Sequence, residues 1–123
     1  MGWSEWQKMG GMLELVSSNQ DAKTHSSGAD LTATVSYTHT CVKSGSAIVI
    51  LHGSNESGNY ASITESVKIN GVEQSRNLQI KGCTADFTDI FLLDCKAGDV
   101  IDLSVTTNRW NSKYMYASYA LYA

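Results

Sequence analysis

The sequence predicts an all-β protein: an antiparallel two-sheet sandwich of about eight strands, arranged as a jelly roll. Three observations lead there. Leu31, Ala33, Val35, Tyr37, His39 and Cys41 alternate without interruption against Thr32, Thr34, Ser36, Thr38 and Thr40, the period of a strand with one dry and one wet face. Turn signals recur along the chain, among them Lys43-Ser44-Gly45-Ser46, Asn70-Gly71 and Ala97-Gly98-Asp99, at the spacing of short antiparallel strands. Ser, Thr, Val, Ile and Tyr are plentiful and proline is absent, a composition that suits pleated backbone.

Residues 1–11 stand apart as a short N-terminal segment. Trp3, Trp6 and Met9 recur every third residue, which gathers them on one face if the segment is helical, and Gly10-Gly11 breaks the run. So short a helix does not persist alone in water. The tryptophans are therefore expected to pack on the domain, on a neighbouring subunit or on an upstream region. Residues 12–123 are expected to form the sandwich head.

Met12, Leu13 and Leu15 begin a strand, and residues 17–29 read as a polar loop. After the threonine-faced strand, Ala47–Leu51 is a continuous apolar run suited to the middle of a sheet. His52–Asn59 reads as a loop rich in Gly, Ser and Asn. Ile63, Val67 and Ile69 lead into Asn70-Gly71, a pair favoured where both turn residues take positive φ, and Val72, Leu78 and Ile80 lead out. Phe87 and Ile90–Leu93 make the next strand. In the turn that follows, Gly98 supplies backbone freedom and the Asp99 side chain can bond the turn's amides. Ile101, Leu103 and Val105 then return to the core while Asp102 and Ser104 face out. Thr106–Ser112 is expected to be a loop before a last strand at Lys113–Ala123.

A chain of 123 residues fits one domain with one core and needs no disulfide or metal to fold. With 42% apolar and 17% charged residues it does not have a disordered composition. A net charge of −3 offers no basic stripe for nucleic acid. No apolar run is long enough to cross a membrane as a helix, and no signal peptide is read at the N-terminus. Cys41, Cys83 and Cys95 show no CxxC spacing and read as small core residues. Cys83–Cys95, across neighbouring strands, is the one bridge considered.

His39 and Cys41 share a strand face, but no further metal ligand joins them. Asp86, Asp89 and Asp94 lack the dense alternation of a calcium loop. No nucleophile-elbow context surrounds any serine. No catalytic residue, metal or cofactor is expected, and the chain reads as a binding and assembly module rather than an enzyme.

Two regions carry that reading. In the last strand, Tyr114, Tyr116, Ser118, Ala120 and Tyr122 point one way, and Met115, Ala117, Tyr119, Leu121 and Ala123 the other. Neither flank is charged, and a strand apolar on both flanks is covered on both. The N-terminal segment is one available cover. Identical copies around a symmetry axis are the preferred one, because aromatic enrichment with charge depletion marks interface cores. Tyr114, Tyr116, Tyr119 and Tyr122, with Trp3 and Trp6, are accordingly expected at an oligomer interface. The second region is Trp110 with Arg109, Asn108 and Asn111. An exposed indole there would stack on a sugar while amides and guanidinium bond its hydroxyls; the alternative is a tryptophan folded under its loop to seal the sandwich end. Asn59 and Tyr60, with Asn55 and Glu56, offer similar chemistry.

The tryptophan-bearing segment, the all-β body, the corner Leu-Leu-Asp-Cys-Lys-Ala-Gly-Asp-Val-Ile-Asp-Leu at residues 92–103 and the closing aromatic strand together resemble a known class. They are similar to the trimeric jelly-roll heads at the tips of bacteriophage tail fibres and baseplates, which are related in form to complement-type and tumour-necrosis-factor-like globular heads. The resemblance implies a homotrimer with the last strand at its axis, attachment to a host-surface glycan and contact with other virion proteins. It also implies a place in the virion tail or baseplate after synthesis in the host cytoplasm. The alternative is a structural virion or scaffold protein with no small-molecule ligand.

Overall fold

The computed structural model describes residues 13–24, 30–75, 79–110 and 114–123. Seven strands follow in chain order: β1 Leu15–Thr24, β2 Asp30–Thr40, β3 Gly45–Ile69, β4 Val72–Glu73, β5 Gln79–Cys95, β6 Val100–Trp110 and β7 Tyr114–Tyr122. Every pairing between them is antiparallel.

The strand β3 is 25 residues long and serves twice. Residues 48–56 pair with β7 and residues 61–69 with β6. On its other edge β3 pairs with β5 from Gly45 to Thr64, with one register break between Glu56 and Ala61, and with β4 at Lys68 and Ile69. With the two-residue β4 set aside, taking β3 and β5 each as two strands gives eight, in two four-stranded sheets. Sheet I runs β1, β7, the first half of β3 and the second half of β5. Sheet II runs β2, β6, the second half of β3 and the first half of β5. Consecutive strands thus alternate between the sheets except at the hairpin that joins the second half of β3 to the first half of β5, both in sheet II, and this is the expected jelly roll. The two-residue β4 completes the hairpin at the end of β3.

The alternation read in residues 31–41 is present: Ala33, Val35 and Cys41 are buried, while the threonines between them are exposed. The same odd-numbered parity runs through Val49, Leu51, Ile63, Val67, Ile101, Val105, Met115 and Leu121, which fill the space between the sheets. Three expected loops are strands. β1 covers residues 17–24 of the presumed polar stretch, β3 runs unbroken through His52–Asn59, and β6 continues to Trp110. In the latter two the inward positions are Gly53, Asn55 and Thr107, residues that hide an alternation usually read from apolar side chains.

Gly53 marks a close approach inside the sandwich. A Cβ there would lie 2.7 Å from Ile63 Cγ2 and 2.7 Å from Phe87 Cε1, so a larger residue overpacks the core. Tyr37 of sheet II stacks on Tyr119 of sheet I, with ring centroids 5.6 Å apart. Asn55 Nδ2 donates to Thr107 Oγ1 at 3.4 Å, and Glu65 is also buried in this interior.

One end of the sandwich is closed by two turns that bond each other. Asn70 and Gly71 have φ of 50° and 81°, as a two-residue hairpin turn requires. Gly98 has φ 92°, and the Lys96 amide donates to Asp99 Oδ2 at 2.8 Å. Asn70 Nδ2 donates to Asp99 Oδ1 at 2.9 Å, and the Val100 amide donates to Asn70 Oδ1 at 2.9 Å. The Cys41 amide donates to the Asp99 carbonyl and the Gly98 amide to the Cys41 carbonyl, both at 2.8 Å. The amide of Lys96, then that of Asn70, hold the Asp99 carboxyl below its ordinary value.

The structure corrects the disulfide considered above. Cys83 and Cys95 lie on the same strand, β5, at positions too far apart for a bridge. Cys95 is instead a free, buried thiol beside Cys41. Burial, then the contact with Cys41, pushes the Cys95 thiol up to about 12, leaving it protonated and unreactive.

Gly53→Ala is expected to cost about 1–3 kcal/mol in urea unfolding, the usual penalty for overpacking a tight core. A second expectation concerns pH. The folded-state value of Asp99 is depressed, so its contribution is present above the unfolded-state value and lost as pH falls through the folded one. Asp99→Asn should lower the melting temperature at neutral pH and flatten the acid limb of the stability curve, as read by thermal melts from neutral pH downward.

Candidate functional site: the outer face of sheet I

The two outer faces differ in chemistry. On sheet II, register rows join Thr34, Thr106 and Thr64, then Ser36, Ser104 and Ser66, then Thr38, Asp102 and Lys68. These groups bond one another: Thr34 and Thr106 hydroxyls are 2.8 Å apart, and Thr38 Oγ1 donates to Asp102 Oδ1 at 2.5 Å. It is a hydrated, self-satisfied surface.

Sheet I presents two halves. In one, the rows Leu15–Tyr122–Ile48–Leu92 and Ser18–Ala120–Ile50–Ile90 cross all four strands. Leu92 is 73% exposed, Ile90 63% and Leu15 53%. In the other half the rows are Gln20–Ser118–His52–Thr88 and Ala22–Tyr116–Ser54–Asp86. Here His52 Nε2 lies 2.7 Å from Asp86 Oδ1. The imidazole is tilted 53° over Tyr116 at a centroid distance of 5.3 Å. Tyr116 Oη donates to Gln20 Oε1 at 2.8 Å, and Tyr114 stacks beside Tyr116 at 6.4 Å. Two aromatic rings with an imidazole, a carboxylate and an amide thus share one open patch. Such a patch can take the apolar edge of a ligand on the rings and its hydroxyls on the polar atoms. Among the described residues no three His, Cys, Asp or Glu side chains converge to hold a metal ion.

Comparison with known proteins adds little. No protein-family description and no curated protein matches the chain. Among solved structures, a family 35 carbohydrate-binding module from Clostridium thermocellum is 11% identical over 88% of this chain and 95% of its own, at a TM-score of 0.37. The dimeric latent PorU of Porphyromonas gingivalis is 8% identical over 88% of this chain and 13% of its own, at 0.41. An isomalto-dextranase from Arthrobacter globiformis, solved with panose, is 15% identical over 79% of this chain and 18% of its own, at 0.35. The fold described above rests on the strand registers themselves.

The residues expected at a site are placed as follows. Asn108 lies on the outer face of sheet II, its Nδ2 donating to Thr32 Oγ1 at 2.7 Å. Arg109 stands opposite Leu31 and Ala61 in the ladders, and Trp110 opposite Asp30; Asn111 lies outside the described residues. Asn59 and Tyr60 fall in the register break of β3. Because Glu56 pairs with Tyr114 and Ala61 with Arg109, residues 57–60 run between the ends of β7 and β6. The two stretches expected to bind ligand therefore meet at one corner, beside Tyr114 and Tyr116.

Two expectations are corrected. Asn55 is buried against Thr107 and cannot face a ligand. Tyr119 does not belong with the outward tyrosines. It is buried, stacked on Tyr37, with its hydroxyl 2.7 Å from Ser17 Oγ, because its odd position points it between the sheets. Tyr114, Tyr116 and Tyr122 form the outward set, and Trp3 and Trp6 lie outside the described residues. The His52–Asp86 pair was missed because its members are 34 residues apart. The one available signal was the shared parity of Ile48, Ile50 and His52.

Tyr119→Ala should destabilise the domain by about 3–5 kcal/mol, the range for losing a buried aromatic. Tyr116→Ala should cost about 1 kcal/mol or less, as for a surface position. Equilibrium unfolding of the two variants side by side checks the assignment.

Proposed function

We propose that this chain is a non-catalytic glycan-binding module whose ligand lies across Tyr114, Tyr116, His52 and Asp86. The observation that supports this reading is the stacked tyrosine pair beside the His52–Asp86 hydrogen bond on an open sheet face. A sugar ring has an apolar C–H face and a rim of hydroxyls. Stacked tyrosines suit the first, while Asp86, His52 and Gln20 suit the second. Contact on a flat face rather than in a cleft implies weak binding at each site, which repetition strengthens.

Titration of the chain with neutral oligosaccharides tests the reading. Tyr116→Ala should weaken binding about tenfold, the loss of one stacking contact, while Thr64→Ala on the opposite sheet should leave it unchanged. Absence of any neutral glycan ligand, or binding indifferent to Tyr116, contradicts it.

A second reading is a homotrimeric head at a phage tail tip, in contact with other virion proteins. The uncharged outer face of β7 favours it. It requires the isolated chain to be a trimer at micromolar concentration, and a monomer by light scattering removes it.

A further inference from the structure

We infer that Cys41 and Cys95 are a disulfide pair: in an oxidising environment they join, and the bond ties sheet II to sheet I at the closed end of the sandwich. Cys41 directly follows β2, an edge strand of sheet II. Cys95 is the last residue of β5, where that strand pairs with Gly45 at the edge of sheet I. Both side chains take the inward parity and are buried, at 5% and 6% exposure, within one core cluster. There the Cys95 thiol is in contact with Cys41. Cys83 and Cys95 share a strand, whereas Cys41 and Cys95 come from facing sheets, as a bridge across the interior requires.

Backbone bonds hold the two positions together independently of the thiols. Directly after Cys95 the chain turns, and the Asp99 amide donates to the Lys96 carbonyl at 2.9 Å. The far end of that turn is bonded to Cys41 in both directions, through the Cys41 amide to the Asp99 carbonyl and the Gly98 amide to the Cys41 carbonyl. The Ala97 amide donates to Ser44 Oγ at 3.3 Å, so the segment after Cys41 is tied to the same turn. One tight turn therefore separates the cysteines, and their side chains meet with the backbone already fixed. A disulfide tolerates little backbone movement, so this is the arrangement it needs.

The oxidant is a low-molecular-weight disulfide. The Cys41 thiolate attacks one of its sulfurs and expels a thiolate, which takes up the proton that Cys41 gave up. The Cys95 thiolate then attacks the Cys41 sulfur of the mixed disulfide and expels the second small thiolate, which takes up the proton from Cys95. One small S–S bond breaks and one protein S–S bond forms; two cysteines are oxidised and the small disulfide is reduced to two thiols. Cys95 is protonated and shielded in the closed fold, so the exchange takes place during folding, while this end is still open. Closure then buries the bond. This inference is independent of the glycan reading, since Gly45 and Cys95 lie at the end of sheet I away from Tyr114 and Tyr116.

The experiment uses the full chain with Cys83→Ser, which leaves Cys41 and Cys95 of the three cysteines. It is refolded from urea in a mixture of oxidised and reduced glutathione, and separately in dithiothreitol. Iodoacetamide labelling in denaturant, read by mass spectrometry, should find no thiol in the first sample and two in the second. Tryptic peptides 24–43 and 82–96 should be recovered joined from the first. The oxidised form should melt about 10 °C higher, because the cross-link restricts the unfolded chain. Adding Cys95→Ala should make the melts in the two buffers coincide. The unsubstituted chain should give the same linkage, with one labelled thiol at Cys83. Two labelled thiols, or glutathione adducts without joined peptides, in a chain that has regained its cooperative melt overturn the inference. A joined form that melts below the reduced one also overturns it, because such a bond would strain the frame rather than brace it.

Discussion

The constraint on which this structure depends is that one strand, β3, belongs to both sheets. Its first half lies between β7 and β5, and its second half between β6 and β5. Inward parity is the same on both sides of the break: Val49 and Leu51 before it and Ile63 and Val67 after it are all buried. A slip of one residue in either half would turn that half's apolar set to water. The two sheets are thereby held in one frame, and the approach of Ile63 of sheet II to Gly53 of sheet I shows how close they come.

The closed end of the sandwich works on the same frame. Asp99 and Asn70 each bond the other's turn, and Cys41 is tied by backbone bonds to Gly98 and Asp99. Three chain reversals are thus fixed relative to one another by neutral and charge-assisted hydrogen bonds, the stronger being those to the Asp99 carboxylate. The opposite end gathers the register break of β3 and the ends of β6 and β7. One end holds the fold, and the other brings together the residues of the proposed binding site.

How much of this was legible in the sequence follows from locality. The Thr-faced strand β2, the Asn70-Gly71 hairpin and the Gly98-Asp99 corner were readable because alternation and turn chemistry act over a few residues. β1 was hidden by its polarity, for as an edge strand it is mostly solvated and carries few apolar residues. The continuation of β3 through His52–Asn59 was hidden because Gly53 and Asn55 occupy inward positions. At the candidate site, the grouping of Tyr114, Tyr116 and Tyr122 on one flank of β7 followed from parity. Which flank of β7 meets the other sheet did not, and Tyr119 was therefore grouped with them. His52 and Asp86 come together only through pairing between β3 and β5, which no short-range pattern encodes.

Native-state hydrogen exchange tests the shared strand most directly. If β3 couples the sheets, the amides of Val49 and Leu51 in one half and of Ile63 and Val67 in the other should open together, with a single free energy equal to that of global unfolding. Opening of residues 61–69 at a distinctly lower free energy than residues 48–56 would show two independently folding sheets and contradict a common frame.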